Sequence, residues 1–354
     1  MKIRAILPAV TLLSFLGVLA FLFPNSARAN GDFYAGKTVT LICTTAPGGT
    51  GDLRVRGMAP FLRKHLPGNP TVVIEYISGG GGRKGVNHLY NVVKPDGLTI
   101  GAISGSAVGL AIMGEMGVDY DPDKLIYLGA PQHVNHTVIY TRADLGLDTL
   151  EKLRARPGIR IGGQQIGHTS YTGGRLLAYF LDMKDPKFIV GYSSREVDVA
   201  LMRGELDARA NSPVSALRRN PDWLEKGIMN WHAILEAPLG EKFSRLEHLP
   251  EIEVFTKNQR ERRLLKLWRT MRGVGSPYAM PPGTPPEIVA LLRATMDKIF
   301  NDPEFPVYYN KLVAEEVSPL SGKELSGVVA DIPRDAETLG LLRQFAGGDP
   351  LPPR

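Results

Sequence analysis

Short runs rich in β-branched residues alternate with stretches whose apolar residues recur every three or four positions, beginning at Thr38. Thr38 to Thr44 reads as a strand, Pro47-Gly48-Gly49-Thr50-Gly51 breaks it, and Leu53 to Leu66 has helical spacing with Asp52 at the N-cap position. A second strand, Thr71 to Ile77, runs into Gly79-Gly80-Gly81-Gly82. A helix over Lys84 to Val93 follows, and Pro95-Asp96-Gly97 turns the chain into a strand from Leu98 to Ile103.

From His136 the rhythm restarts. It predicts strand Thr137 to Tyr140, helix Leu147 to Arg156, strand Ile159 to Gly162, a polar loop through Ser170, and helix Tyr171 to Leu181. Strand Phe188 to Gly191, helix Glu196 to Gly204, strand Leu206 to Ala210 and strand Ile228 to Leu235 complete this part. Phe243 to Thr270 is charged and helical, and Pro277 to Pro286 introduces a helix from Glu287 to Phe300 and a helical tail that returns to the first lobe. The expected fold is α/β with two lobes, each a mostly parallel sheet flanked by helices. Residues 30–133 and 272–354 form the first lobe, 134–271 the second, and two crossovers make a hinge.

The N-terminus sets the compartment. Lys2 and Arg4 precede an apolar run from Ala5 to Phe23, and Ala27-Arg28-Ala29 places small residues as a signal peptidase requires, so residues 1–29 read as a cleaved secretory signal. A permanent anchor is the competing reading, because the run approaches the roughly 20 residues of a spanning helix. Pro8 and Pro24 bracket the run, and the cleavage pattern favours removal. Cleavage takes three cations and no acid, leaving a formal charge of +3 from +6. Mixed charges without a clustered basic face and stacking aromatics exclude a nucleic-acid partner. Arg218-Arg219 and Arg260 to Arg263 read as solvated helix faces, and Cys43, the single cysteine, as a small core residue.

Two glycine-rich turns, Pro47 to Asp52 and Gly79 to Gly85, fall at the ends of neighbouring strands and at the starts of helices. Free N–H groups there suit an anion, and glycine lets a ligand approach the backbone closely. Gly80, Gly82 and Gly85 satisfy a dinucleotide fingerprint, but the acid expected about 20 residues further on falls near Gly105. A phosphate loop fails because Arg83 and Gly85 flank Lys84 where Gly and Ser or Thr are needed. No G-x-S-x-G or H-E-x-x-H pattern occurs, and His133 and His136 are too few for a metal. No cofactor is expected.

In the second half, Gly162-Gly163-Gln164-Gln165 and Gly167-His168-Thr169-Ser170 gather amides, hydroxyls and helix N–H groups at one strand end, a donor set for a carboxylate. Tyr192-Ser193-Ser194 and Asn211-Ser212 would face the same cleft, with Arg83 and Arg209 as guanidinium candidates. Helix capping by Thr169 or Ser170 is the plainer alternative. Catalysis by Ser104 or Ser170 with His168, as in an exported enzyme acting on a carboxylate or ester, is the functional one.

These residues, with Ala46 to Asp52, Lys94 to Gly101, Asp144 to Arg154 and the Pro281-Pro282-Gly283-Thr284-Pro285-Pro286 run, resemble the solute-binding proteins of tripartite tricarboxylate transporters over most of the mature chain. The resemblance implies a periplasmic-binding-protein fold of type II-like organisation and a non-enzymatic, monomeric receptor in the periplasm. Its ligand would be a small organic carboxylate, and its partners the permease subunits of a secondary transporter. A membrane sensor kinase is the alternative partner. The ligand set carried over, with the neighbouring donors, is Pro47, Gly48, Gly49, Thr50, Asp52, Gly81, Gly82, Arg83, Ser104, Gln165, His168, Thr169, Ser170, Tyr192 and Asn211. Arg83-Lys84 stand where the family has Asn, and Asn211 where it has an acid. Both changes make the cleft less negative and suit a more anionic or larger ligand.

Overall fold

The computed structural model describes residues 33–313 and 315–354, so the expected signal peptide lies outside the described residues. Among those described, no helix is long and apolar enough to cross a membrane. The chain first lays down β1 (Thr38–Cys43), α1 (Thr50–His65), β2 (Thr71–Tyr76), α2 (Arg83–Asn91), β3 (Thr99–Ala102), α3 (Gly105–Ile112) and β4 (Ile126–Ala130). It continues with β5 (Thr137–Arg142), α4 (Leu150–Ala155), β6 (Arg160–Gly162), α5 (Thr169–Phe180), β7 (Lys187–Ile189), α6 (Ser194–Met202) and β8 (Ala208–Asn211). Then come α7 (Pro213–Arg219), α8 (Asp222–Glu225), β9 (Met229–Leu235), α9 (Gln259–Gly273), β10 (Tyr278–Met280), α10 (Pro286–Phe300), α11 (Glu304–Val313), β11 (Leu320–Ser321), α12 (Gly322–Ala330) and α13 (Ala336–Ala346).

Two sheets result, in the orders β11-β4-β10-β3-β1-β2 and β7-β6-β8-β5-β9. β1 pairs in parallel with β2 and β3, and β6 in parallel with β7 and β8. In each sheet the strand laid down just after the chain crosses from the other lobe runs backwards. β5 is antiparallel to β8 and β9, and β10 to β3 and β4. The lobes therefore share one plan, β2-β1-β3-β10-β4 matching β7-β6-β8-β5-β9, with β11 added antiparallel at one edge.

Alternation along the strands decides which face each residue feeds. In β1, Val39, Leu41 and Cys43 bury against Met58, Leu62, Leu292 and Met296 of α1 and α10, while Ile42 points to the opposite core with Val86 and Leu89 of α2. In β5, Val138 and Tyr140 meet Val197 and Leu201 of α6, whereas Ile139 joins Leu176, Leu177 and Phe180 of α5. Each such aliphatic side chain contributes roughly 1.5–3 kcal/mol on burial. The cores behind the facing sheets merge into one cluster through Trp268 of α9, Leu325 and Val329 of α12, and Leu342 and Phe345 of α13.

The tail departs from expectation. β11 and α12 do return to the first sheet, but α13 packs on α9 and α5 of the second lobe. There Tyr171 donates to the Gly347 carbonyl and Arg175 to those of Gln344 and Asp349. Arg354 ends the chain against Glu261 and Asp182. The charged segment after Phe243 is only partly helical. Two short 3-10 turns precede α9, and Arg269 ties the second of them, Ile252–Phe255, to the exit of β9 through Glu251, Glu253 and the Glu236 carbonyl.

The crossings run side by side. Gly275, at φ +65°, lies so near Gln132 that a Cβ would stand 1.8 Å from the Gln132 carbonyl oxygen. His133 and His136, three apart in sequence, serve this region separately: His133 Nδ1 lies 2.6 Å from the Ser318 carbonyl, and His136 Nδ1 accepts from the Ala237 N–H at 3.0 Å.

Candidate functional site

Three turns at the carboxyl ends of β1, β2 and β3 meet in the first lobe. The buried Thr44 hydroxyl accepts from the Ser104 N–H at 2.9 Å, and the Ser104 and Ser106 hydroxyls lie 2.6 Å apart. Ser106 in turn donates to the Gly81 carbonyl at 3.1 Å. Gly79, Gly80, Gly81 and Gly82 all have positive φ (129°, 56°, 68° and 100°), a backbone that only glycine holds without strain over four consecutive residues. This run folds the β2 exit back toward Thr44 and Ser104.

The helices that leave these turns are open at their N-termini. Among the described residues, no side chain caps α1 at Gly49, α2 at Gly82 or α3 at Ser104. First-turn N–H groups of a helix have no acceptor inside it, so the three ends present donors and the positive poles of three helix dipoles. Pro47, Gly48, Gly49, Thr50 and Gly81 are exposed beside them.

Asp52 is not the N-cap. The helix starts at Thr50, and the Asp52 carboxylate turns back to accept from the Gly48 N–H at 2.8 Å. It also accepts from Arg56 at 2.7 Å and from the Tyr76 hydroxyl at 2.5 Å. Burial, with 3% of the residue exposed, would raise its pKa, but hydrogen bonds from Tyr76, Arg56 and Gly48 outweigh that and hold it below the usual carboxylate range. Its lone pairs are thus committed to shaping the Pro47–Gly49 turn.

The second lobe closes the starts of α5 and α6 with its own side chains. His168, rather than Thr169 or Ser170, caps α5: Nδ1 accepts from the Ser170 N–H at 3.2 Å and lies 2.9 Å from the Ser170 hydroxyl. Gln164 packs its amide 2.8 Å from Nε2. Burial, together with the positive fields of Arg272 and Arg209, pulls the His168 pKa down to about 4, so the ring is neutral at pH 7 and a weak base. Gln165 is exposed and accepts from the His168 N–H through its carbonyl, and Thr169 opens the helix. Ser193 caps α6 in a capping box with Glu196.

Arg209 is 1% exposed and committed to structure. It binds Asp198 and both the carbonyl and the hydroxyl of Ser194, each of the latter at 2.8 Å, while Arg219 and Asn220 hold the other Asp198 oxygen. Arg219 is therefore part of a buried network, not a solvated face. Arg218, beside it, donates to the Val313 carbonyl and so links α7 of the second lobe to α11 of the first. Tyr192 packs its ring against the core that holds Val138 and Val197. The buried Nδ2 of Asn211, at the end of β8, lies beside the equally buried Tyr140 hydroxyl, and no side chain caps α7 at Ser212. Arg83 lies along Gly80 and Gly117, at the rim of the first-lobe turns.

Sequence reasoning missed a group at the hinge. Arg54, in the second turn of α1, is held by Glu315 in two bonds of 2.8 Å and by Ser276 at 2.8 Å. Arg272, in the last turn of α9, donates to Asn135 of the outward crossing. Nothing local marks either arginine, since Arg54 and Glu315 are 261 residues apart. Two surface depressions, one around Asp123, Tyr127 and Arg334 and one around Arg142, Arg160 and Asp207, share no residue with these turns.

No family model matches this chain, and no curated protein does. Solved structures do. A TctC solute binding protein from Polaromonas is 19% identical and superposes with a TM-score of 0.65 over 88% of this chain and 98% of that one. The periplasmic binding protein BugD is also 19% identical, with a TM-score of 0.60 over 88% and 98%. MatC from Rhodopseudomonas palustris, solved with bound malate, is 18% identical, with a TM-score of 0.59 over 88% and 99%. The fold is thus the two-lobed fold of the periplasmic solute-binding proteins, as the resemblance implied.

Proposed function

We propose that this chain is an exported receptor of the tripartite tricarboxylate transporter type, which closes over a small organic carboxylate in the periplasm and presents it to membrane permease subunits. The observation that carries this reading is the meeting of three uncapped helix N-termini at Thr44, Gly82 and Ser104. The backbone N–H groups of Gly49, Thr50 and Gly81 would take the carboxylate, with Ser104 beside them. Thr169, Ser170 and the Asn211 amide would meet the ligand from the second lobe. His168 would set the shape of that wall rather than move a proton, because its Nδ1 already accepts from Ser170. Arg83 would steer anions at the rim, and Gln165 and Tyr192 would contribute through the backbone of their turns.

The mechanism is clamshell closure. The bodies meet near residues 133 and 272, and a ligand that bridges them stabilises the closed form by its differential affinity for it. Arg218 and the Val313 carbonyl would form one latch of that form. The malate bound in MatC agrees with a carboxylate as ligand class.

The test is thermal unfolding of the mature chain, from Asn30, against a panel of mono-, di- and tricarboxylates, with recovery of the acid. A ligand at about 100 times its Kd adds roughly 2.7 kcal/mol to stability. One acid class should raise the midpoint and be recovered unchanged. A flat response to the whole panel, or consumption of the acid, would sink the receptor reading.

A further inference from the structure

The hinge holds a cation without a charged partner. Arg272 donates from Nη2 to Asn135, its Nε is buried with no partner, and among the described residues no carboxylate pairs with it. The neighbouring Arg54 and Glu315 neutralise one another through their two bonds, and Ser276 takes the remaining Arg54 nitrogen. The positive charge left over therefore belongs to Arg272.

Its position is informative. The outward crossing, at Asn135, touches its guanidinium, and the return crossing begins three residues further on. Burial and then the field of Arg54 in the first lobe lower the Arg272 pKa to about 10, against a smaller upward pull from Glu315, and Arg272 in turn lowers that of His168 in the second lobe. Arg272 thus stands at the crossings, within electrostatic reach of Arg54 in the first lobe and His168 in the second. An isolated charge in such a place is costly unless something negative joins it, and a guanidinium fork suits the two oxygens of a carboxylate.

We infer that Arg272 is the charge-selecting residue of the cleft: it receives a second anionic group of the ligand at the hinge end, while the first-lobe turns hold the first. The receptor then prefers acids with two separated carboxylates to matched acids with one. This rests on the proposed carboxylate-binding function and deepens it. Backbone donors bind a carboxylate of any chain, whereas a full, buried charge discriminates by the charge of the ligand's far end.

The test is calorimetric titration of the wild-type protein, Arg272→Gln and Arg272→Lys with matched pairs, succinate with butyrate and adipate with hexanoate. The wild type should favour a dicarboxylate over its monocarboxylate partner by about 30-fold or more, the effect of one buried charge pair. Arg272→Gln should compress that preference to a few-fold while keeping the weaker monocarboxylate affinity, and Arg272→Lys should restore part of it. Without ligand, Arg272→Gln should melt no lower than the wild type, since it removes an uncompensated charge. An undiminished preference in Arg272→Gln, or equal loss of both acids together with a lower melting point, would make Arg272 a structural tie between the crossings. Should Arg272→Gln not fold, an undiminished preference in Arg272→Lys, which loses the fork, would overturn the assignment in the same way. If the wild type binds neither acid of either pair, the receptor reading fails first and this inference with it.

Discussion

The two lobes follow one strand order, yet α5 and α6 of the second are finished unlike α1, α2 and α3 of the first, while α7, like those three, carries no side-chain cap. In the first, glycine and serine leave α1, α2 and α3 without side-chain caps, and the nearby carboxylate of Asp52 is tied to Gly48, Arg56 and Tyr76. In the second, His168 caps α5, Ser193 and Glu196 close α6, and Arg209 of β8 ties down the first turns of α6 through Ser194 and Asp198. An uncapped end forgoes about 1 kcal/mol of stability and keeps its donors for a ligand. On the proposed reading, the first lobe would be completed by an anion, and α5 and α6 of the second would form a wall for it to close against.

That contrast can be broken by mutation. The largest expected effect is Arg209→Met, which leaves buried Asp198 with only Arg219 and Asn220 and should cost about 3–5 kcal/mol in denaturant unfolding. Gly82→Ala comes next. Its φ of +100° resists a side chain, and a Cβ would stand 3.3 Å from Ser104 Cβ and Thr44 Oγ1, so the cost should be roughly 1–3 kcal/mol, with carboxylate affinity falling by at least about tenfold. Retained affinity in this variant would move the anion away from the β2 exit.

Acid should act on the second lobe first. His168 and His232 both have folded pKa values lowered to about 4 by burial, against about 6.5 in an unfolded chain. The unfolded state therefore takes up protons first, and the stability these rings contribute, complete above about pH 6.5, is lost progressively as pH falls toward about 4. Trp223, Trp231 and Trp268, the chain's three tryptophans, all lie between β5 and β10, so their fluorescence reports this loss. His232→Gln should flatten part of the slope, and an unchanged slope would show that His232 does not drive it. The smallest effect is Ser193→Ala, about 1 kcal/mol for a lost cap with carboxylate affinity unaltered.

Legibility in the sequence follows local punctuation. Glycine turns after Thr44 and Ile77 and the Pro95-Asp96-Gly97 turn mark the exits of β1 and β2 and the entry to β3, and with them the first-lobe site. α3 escapes such reading because Gly105–Ile112 contains no charged residue and packs between α2 and α9, leaving no helical period. β10 is three residues set between prolines, and β11 only two; both exist because β4 offers them a partner far away in sequence. Apolar spacing points to Asp52 as the helix cap, whereas the helix begins at Thr50 because the chain breaks at Gly49, and the carboxylate is freed to brace the turn. Arg54 and Arg272 give no signal, because their meaning lies in Glu315, Ser276 and Asn135, which only the fold brings near.

Where the anion sits can be read from the backbone amide resonances of the mature protein during titration with the best-binding acid of the panel. If the open helix ends of the first lobe hold it, the N–H signals of Gly49, Thr50, Gly51, Gly81, Gly105 and Ser106 should move most, and downfield as they donate to a carboxylate, while those of the self-capped Ser170 and Glu196 move little. Large shifts at the second-lobe caps, with the first-lobe turns unmoved, would contradict a first lobe built to be completed by an anion.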